Sequence, residues 1–231
     1  MITAEELITK ARSYISLLNE FKEGNKEYYR LFEVLDRLKL DPNYTLALHL
    51  PNDKIFLGDV SWFYCYKGGT DPYCDRYNNP DEDENEDFWQ CYGKVDENEI
   101  LNHIFVEQTI MGAWQIYLLY IATTQLPAYR HGSYRSTNLI FSNEDVRKYH
   151  PLATEHLRTN HIKKELNYPE EQLLPEISFE GNTAYVKCCY FNLWSGVMKE
   201  TIAFTFEGNR VTEWVIAKKE VIYKYKCRIL Y

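Results

Sequence analysis

An α+β fold is what this sequence predicts, and three observations carry the prediction. Two amphipathic segments open the chain, an apolar run from Ile110 to Ala122 lies near its middle, and the part from about residue 176 onward alternates apolar with polar residues. The expected arrangement is an N-terminal helical hairpin and a long buried central helix, packed on a C-terminal antiparallel β-meander. At 231 residues, 45% of them hydrophobic, the chain suffices for one well-buried core. We therefore read 1–231 as a single domain with an acidic loop insertion at about 70–97.

The first helix starts at Thr3, whose spacing to Glu6 is that of a capping box. Leu7, Ala11, Ile15 and Leu18 lie on one face of it, and Gly24 closes it beyond Phe21. Asn25 can cap a second helix with the stripe Tyr28, Leu31, Phe32, Leu35 and Leu38, which Pro42 terminates. From Tyr44 the period changes to two. Leu46, Leu48 and Leu50 then share one face of a strand, and "KIFLGDVSWFYCYKGG" supplies one or two more.

A long loop, from 70 to about 97, leads to a helix expected from Asn98 to about Gln125 and ended by Leu126-Pro127. Its middle is apolar nearly all round, the pattern of a helix at the centre of a domain. "YRHGSYRSTNLIFS" reads as a turn entering a strand, Ser142 with Asp145 as a helix start interrupted at Pro151, and "LATEHLRTNHIKKELN" as an amphipathic helix. Four strand-like stretches follow: "ISFEGNTAYVKCCYFNLW", "SGVMKETIAFTF", "EGNRVTEWVIA" and "KEVIYKYKCRIL". "FEGN" occurs twice, at 179 and 206, as convergent hairpin chemistry. Over about residues 176 to 217 this hairpin rhythm, behind N-terminal helices, resembles the NTF2-like cone fold, whose curled sheet wraps a pocket. The segment from 44 to 142 departs from that pattern as a long insertion.

"MITAEELITK" has no basic region followed by an apolar core, so no secretory signal is read there. The apolar run at 110–122 is shorter than the roughly 20 residues that span a bilayer. These features lead us to expect a cytoplasmic protein with no membrane partner, whose six cysteines are reduced thiols. Heavy use of tyrosine, 20 residues, fits many half-buried positions with wet hydroxyls.

The net charge of −8 has a single source. Between Asp71 and Glu99 eleven acids face only Arg76 and Lys94, and the rest of the chain is nearly neutral. Asp81, Glu82, Asp83, Glu84, Glu86 and Asp87 fill six of seven consecutive positions and are followed by Phe88, Trp89 and Tyr92. Repulsion among crowded like charges is relieved by cations or basic side chains, and the neighbouring rings add anchors that solvation alone does not require. Asp81 to Trp89 are accordingly the candidate partner-binding residues, for a basic protein. Nucleic acid is excluded there by sign. Calcium is not expected, because the run lacks the D-x-[DN]-x-[DN]-G spacing.

A second candidate is the "YRHGSYR" stretch at 129–135. Arg130, His131, Ser133, Tyr134 and Arg135 could present donors to an anionic ligand beside the central helix. Nothing else carries site chemistry. His150, His156 and His161 are six and five apart, whereas two imidazoles on one helix face need three or four. The cysteines have no C-x-x-C spacing, and no G-x-x-x-x-G-K-[ST], G-x-G-x-x-G or H-E-x-x-H occurs. No metal, cofactor or catalytic residue is expected. The expected function is non-enzymatic binding, with a small-molecule pocket or enzyme near 129–135 as the alternative. In general character such a small, acidic, aromatic-rich protein resembles the immunity proteins that neutralise bacterial toxins.

Overall fold

The computed structural model describes residues 2–22, 26–49, 62–67, 99–124, 138–149, 168–192 and 196–223. It has the expected α+β architecture, with helices set against a large antiparallel sheet. Helix α1 (Ala4–Lys22) begins at the capping box. Thr3 Oγ1 accepts from the Glu6 amide at 3.2 Å, and Glu6 Oε2 accepts from the Thr3 amide at 2.7 Å. Leu7, Ala11, Tyr14, Leu17 and Phe21 form its buried stripe, with Ile15 and Leu18 half-buried at the margin.

Helix α2 (Arg30–Val34) folds back antiparallel to α1. Arg30 Nη1 meets Glu20 at 2.6 Å, while Lys10 Nζ donates to the Val34 carbonyl and to Asp36 at 2.9 and 2.8 Å. The hairpin exists, but its second arm is only five residues long. Leu38, expected on the helix, opens strand β1 (Leu38–Leu40) instead. Leu35 leaves helical geometry at φ −92, ψ 62. The Arg37 amide then donates to Gln115 Oε1 at 2.7 Å. Leu31, Leu35 and Leu38 are all buried, so the apolar stripe is correct although part of its backbone is not helical. Asp41-Pro42 accordingly turns the chain from β1 into β2 (Tyr44–His49), with the Tyr44 amide bonded to the Asp41 carbonyl at 2.9 Å.

β2 pairs with β3 (Trp62–Lys67) as a separate two-stranded sheet, in which Leu46 lies opposite Cys65 and Leu48 opposite Phe63. Leu46, Cys65 and Phe63 pack on the core, as the alternation predicts. The helix expected from Asn98 is corrected. Helix α3 (Glu99–Asn102) is followed by strand β4 (Ile104–Val106), and the central helix α4 runs Ile110–Thr124. Thr109 caps it: its hydroxyl accepts from the Gly112 amide at 3.1 Å. Every residue from Gly112 to Ile121 is buried, so the helix is enclosed as its composition requires.

β5 (Asn138–Ile140) precedes a helix over 143–149, started as expected by Ser142 and Asp145. The Asp145 amide donates to Ser142 Oγ at 3.2 Å, and Asp145 Oδ2 accepts from the Phe141 amide at 3.0 Å. A short 3-10 turn (Glu170–Gln172) leads to the meander: β6 (Glu176–Glu180), β7 (Thr183–Asn192), β8 (Gly196–Glu207) and β9 (Arg210–Tyr223). Gly181 and Gly208 take the tight turns at φ +61 and +60, where a side chain would be strained. The sheet order is β1-β4-β9-β8-β7-β5, with β6 also on β7. Strands β4 and β5 belong to the main sheet, so 44–142 is not an insertion into it.

The first of the two C-terminal stretches expected as separate strands and the described part of the second, to Tyr223, form one strand, β9. Its register against β8 slips three times, leaving Thr212, Ala217 and Ile222 as extra residues, one every five positions. Each bulge bends and twists the strand. The positions opposite the core-facing residues of β8 are then Val211, Trp214, Ile216, Lys219 and Val221. That broken alternation is why the strand reads as two in sequence.

A buried polar cluster as the candidate functional site

Both sequence candidates lie outside the described residues. That holds for the acidic segment with Asp81, Glu82, Asp83, Glu84, Glu86, Asp87, Phe88 and Trp89, and for Arg130, His131, Ser133, Tyr134 and Arg135. The helix expected over 152–167 lies outside them as well. Among the described residues no group of three or more His, Cys, Asp or Glu side chains is placed to hold a metal ion. Among the described residues Cys188 and Cys189 are free thiols.

The described residues do assemble one polar cluster, between α4 and the meander. Along β8 the side chains of Met198, Glu200, Ile202, Phe204 and Phe206 alternate onto the core face, and all five are buried. Glu200 is the charged member of this row, its side chain 0% exposed. Cys188 of β7 lies opposite it on one side and Lys219 of β9 on the other, so three polar residues form a row across three strands. Tyr190 is one pleat further along β7, and Tyr117 enters from α4, where Trp114 stacks on its ring at 5.3 Å.

An unpaired buried carboxylate would cost several kcal/mol, on the order of the penalty for an isolated ion. Here Lys219 Nζ stands 3.5 Å from Glu200 Oε2 and 5.6 Å from the centroid of the Tyr190 ring. Burial works against the Lys219 ammonium, but Tyr190 and Glu200 outweigh it and hold the group above the usual lysine value. Burial and the Glu200 charge together raise the Tyr190 phenol. Burial, with Cys188, Glu200 and Tyr190 nearby, places the Tyr117 phenol far above its ordinary range. The Tyr117 hydroxyl faces the Cys188 thiol, although the two do not reach hydrogen-bond geometry.

The chemistry open to this cluster follows. Burial first, then the Cys189 neighbour, drives the Cys188 thiol well above its normal value, so it stays protonated and is no nucleophile. Both phenols are neutral at physiological pH. What remains is a carboxylate, an ammonium and two π faces, which is a binding constellation rather than an activated nucleophile and base. One signal in the sequence could have found it. "VMKETIAF" places a glutamate on the apolar phase of an otherwise regular alternation.

These observations define the class of protein as an α+β domain in which an antiparallel meander packs on a buried central helix. Among the described residues no helix is long and apolar enough to cross a membrane. Compared with known proteins, the chain matches no family model, no curated protein and no solved structure.

Proposed function

We propose that this protein is a non-enzymatic cytoplasmic binding protein that engages a basic protein partner through its acidic segment, in the general manner of an immunity protein. The observation that carries this reading is the placement of six carboxylates in seven positions, Asp81 to Asp87, with Phe88 and Trp89 immediately after them. Long-range attraction steers a cationic partner toward such a segment, and the two rings then anchor it by desolvation. The inert Cys188 thiol supports a binding role over covalent chemistry.

Replacing Asp81, Glu82, Asp83, Glu84, Glu86 and Asp87 by their amides should slow association with a partner captured from the native host and flatten its salt dependence. Unchanged affinity and salt slope would sink the proposal. A second reading has its own support. The stretch with Arg130, His131, Ser133, Tyr134 and Arg135 joins α4 to β5, whose Leu139 pairs with Tyr190 beside the polar cluster. In that reading an anionic small molecule binds there, and raises the melting temperature of the native protein but not of Arg135→Ala.

A further inference from the structure

Strand β9 leaves one of its edges open. Among the described residues β4 pairs with it only at Arg210, so from Val211 onward β9 has a neighbouring strand, β8, on one side alone. Both of its faces reach solvent there, since every residue from Val215 to Val221 is exposed. Val215, Ile216 and Val221 are 49%, 51% and 51% exposed, and among the described residues Tyr29 is the one other large apolar side chain so open. An open strand edge is a template for another strand, and monomers blunt it with charge. The charges on β9 complement themselves instead.

We propose that this edge pairs with the same edge of a second copy, antiparallel about a two-fold axis at Lys219, so that one sheet runs through both chains of a homodimer. Residues opposite one another in an antiparallel ladder share a face of the sheet, and a two-fold interface makes each pair twice. Positions along β9 are fixed by β8, where Lys218, Lys219, Glu220 and Val221 lie opposite Thr201, Glu200, Lys199 and Met198. Counted in those positions, the axis sets Lys218 against Glu220 of the second copy. On the other face Ile216 meets Val221 of the second copy, and Ala217 stays the extra residue it already is against β8. Opposite charges and β-branched side chains facing across a ladder both stabilise it. Lys219 itself comes to the axis. Its head group is turned onto its own chain, 3.5 Å from Glu200 and over the Tyr190 ring, so the two ammonium groups do not meet as bare charges.

The neighbouring registers fail on sign or on space. An axis at Lys218 or at Glu220 opposes that residue to its own copy, and an axis at Ile216 opposes Glu213 to Glu220. An axis at Val215 carries Glu220 of the second copy to the place beside Arg210 that β4 fills. The ion pair of Lys218 with Glu220 inside one chain is well exposed, so exchanging it for two pairs between chains costs little. This interface lies apart from the acidic segment, and its test makes no use of that segment.

Sedimentation velocity reads the equilibrium directly, at about 0.15 M salt, where charges more than about 8 Å apart are screened. Between about 5 and 500 μM wild type should pass from monomer to dimer, as expected of an interface near the small end of the specific ones. Lys218→Glu and Glu220→Lys should each self-associate about tenfold more weakly or worse, since each opposes like charges twice. Mixed in equal amounts, the two variants should associate as wild type does, because every like pair becomes an opposite one. Loss of an ion pair inside one chain is not rescued by mixing. Without any variant, exchange of the wild-type amides over 216–221 should slow as concentration rises. A wild type that stays monomeric throughout overturns the proposal, and so does association that survives Lys218→Glu unchanged or that mixing fails to restore. An edge that takes its strand from a different protein gives the first of these results.

Discussion

Trp114 Nε1 donates a 2.7 Å hydrogen bond to the carbonyl oxygen of Leu7, joining the central helix to the first turns of α1 across 107 positions of sequence. The indole is fully buried, stacked on Tyr117 and edge-on to Phe141. Trp114→Phe leaves a cavity and removes the tie to the Leu7 carbonyl, which keeps its bond within α1. A loss of about 2–4 kcal/mol is expected, from the usual costs of core truncation and a lost buried hydrogen bond. A urea melt measures it, and a loss below about 0.5 kcal/mol would mean that the two helices do not depend on this contact.

Tyr14 presents the opposite case. It lies 2% exposed on the inner face of α1, and among the described residues its hydroxyl has no hydrogen-bond partner. Burial raises the phenol far above its ordinary range. A buried unsatisfied hydroxyl costs about 1–3 kcal/mol, so Tyr14→Phe should be neutral or should stabilise by up to about 1 kcal/mol. A clear destabilisation of this variant would contradict the packing described.

Gly112 sits in the first turn of α4, where a Cβ would collide with the Glu107 carbonyl. That carbonyl belongs to main chain held by the residue that precedes β1, since the Glu107 amide donates to the Arg37 carbonyl at 3.1 Å. Relief therefore requires moving backbone. Gly112→Ala, normally favourable in a helix by up to about 1 kcal/mol, should here destabilise by about 2 kcal/mol or more. Circular dichroism melts of the two proteins decide the sign.

Stability should fall on the acid side through identifiable groups. A hydrogen bond from Lys187, with the charges of Lys187 and Lys199, holds the Glu176 carboxyl below its usual value. The Asn43 amide, then Arg210, does the same for Asp41. A depressed folded-state value means that the contribution is complete above the unfolded carboxylate range, near about pH 4, and vanishes as pH falls through the folded value. Glu176→Gln should therefore lower the urea midpoint at pH 7 and leave it unchanged at about pH 2. The raised Lys187 and Lys219 act at the other end. Their contribution is complete below the unfolded lysine value, near about 10.4, and is lost as pH rises through the higher folded values.

Much of the local structure was legible. The Thr3–Glu6 and Ser142–Asp145 caps and the glycine turns at 181 and 208 all stand where their spacing places them. Each is settled by contacts within about four residues. Leu38 is expected on a helix from its place in an apolar stripe, and Ile104–Val106 from its place in the segment leading into the apolar central run, while their backbones pair with each other. Leu38 lies opposite Val106 and Leu40 opposite Ile104, in a ladder that links positions far apart in the chain. A three-residue strand has too little pattern of its own to announce such a partner.

The sequence by itself determined the α+β class, the apolar faces, the principal caps and turns, and the concentration of negative charge between Asp71 and Glu99. These follow from composition and from neighbours a few positions apart. Only the tertiary structure decided that β9 is one strand with a bulge every five residues, and that Glu200 is sealed beneath Lys219. The reason is physical. A bulge exists only relative to the partner strand, and burial of a charge depends on which elements close over it, so neither can be read from residues taken along a single chain.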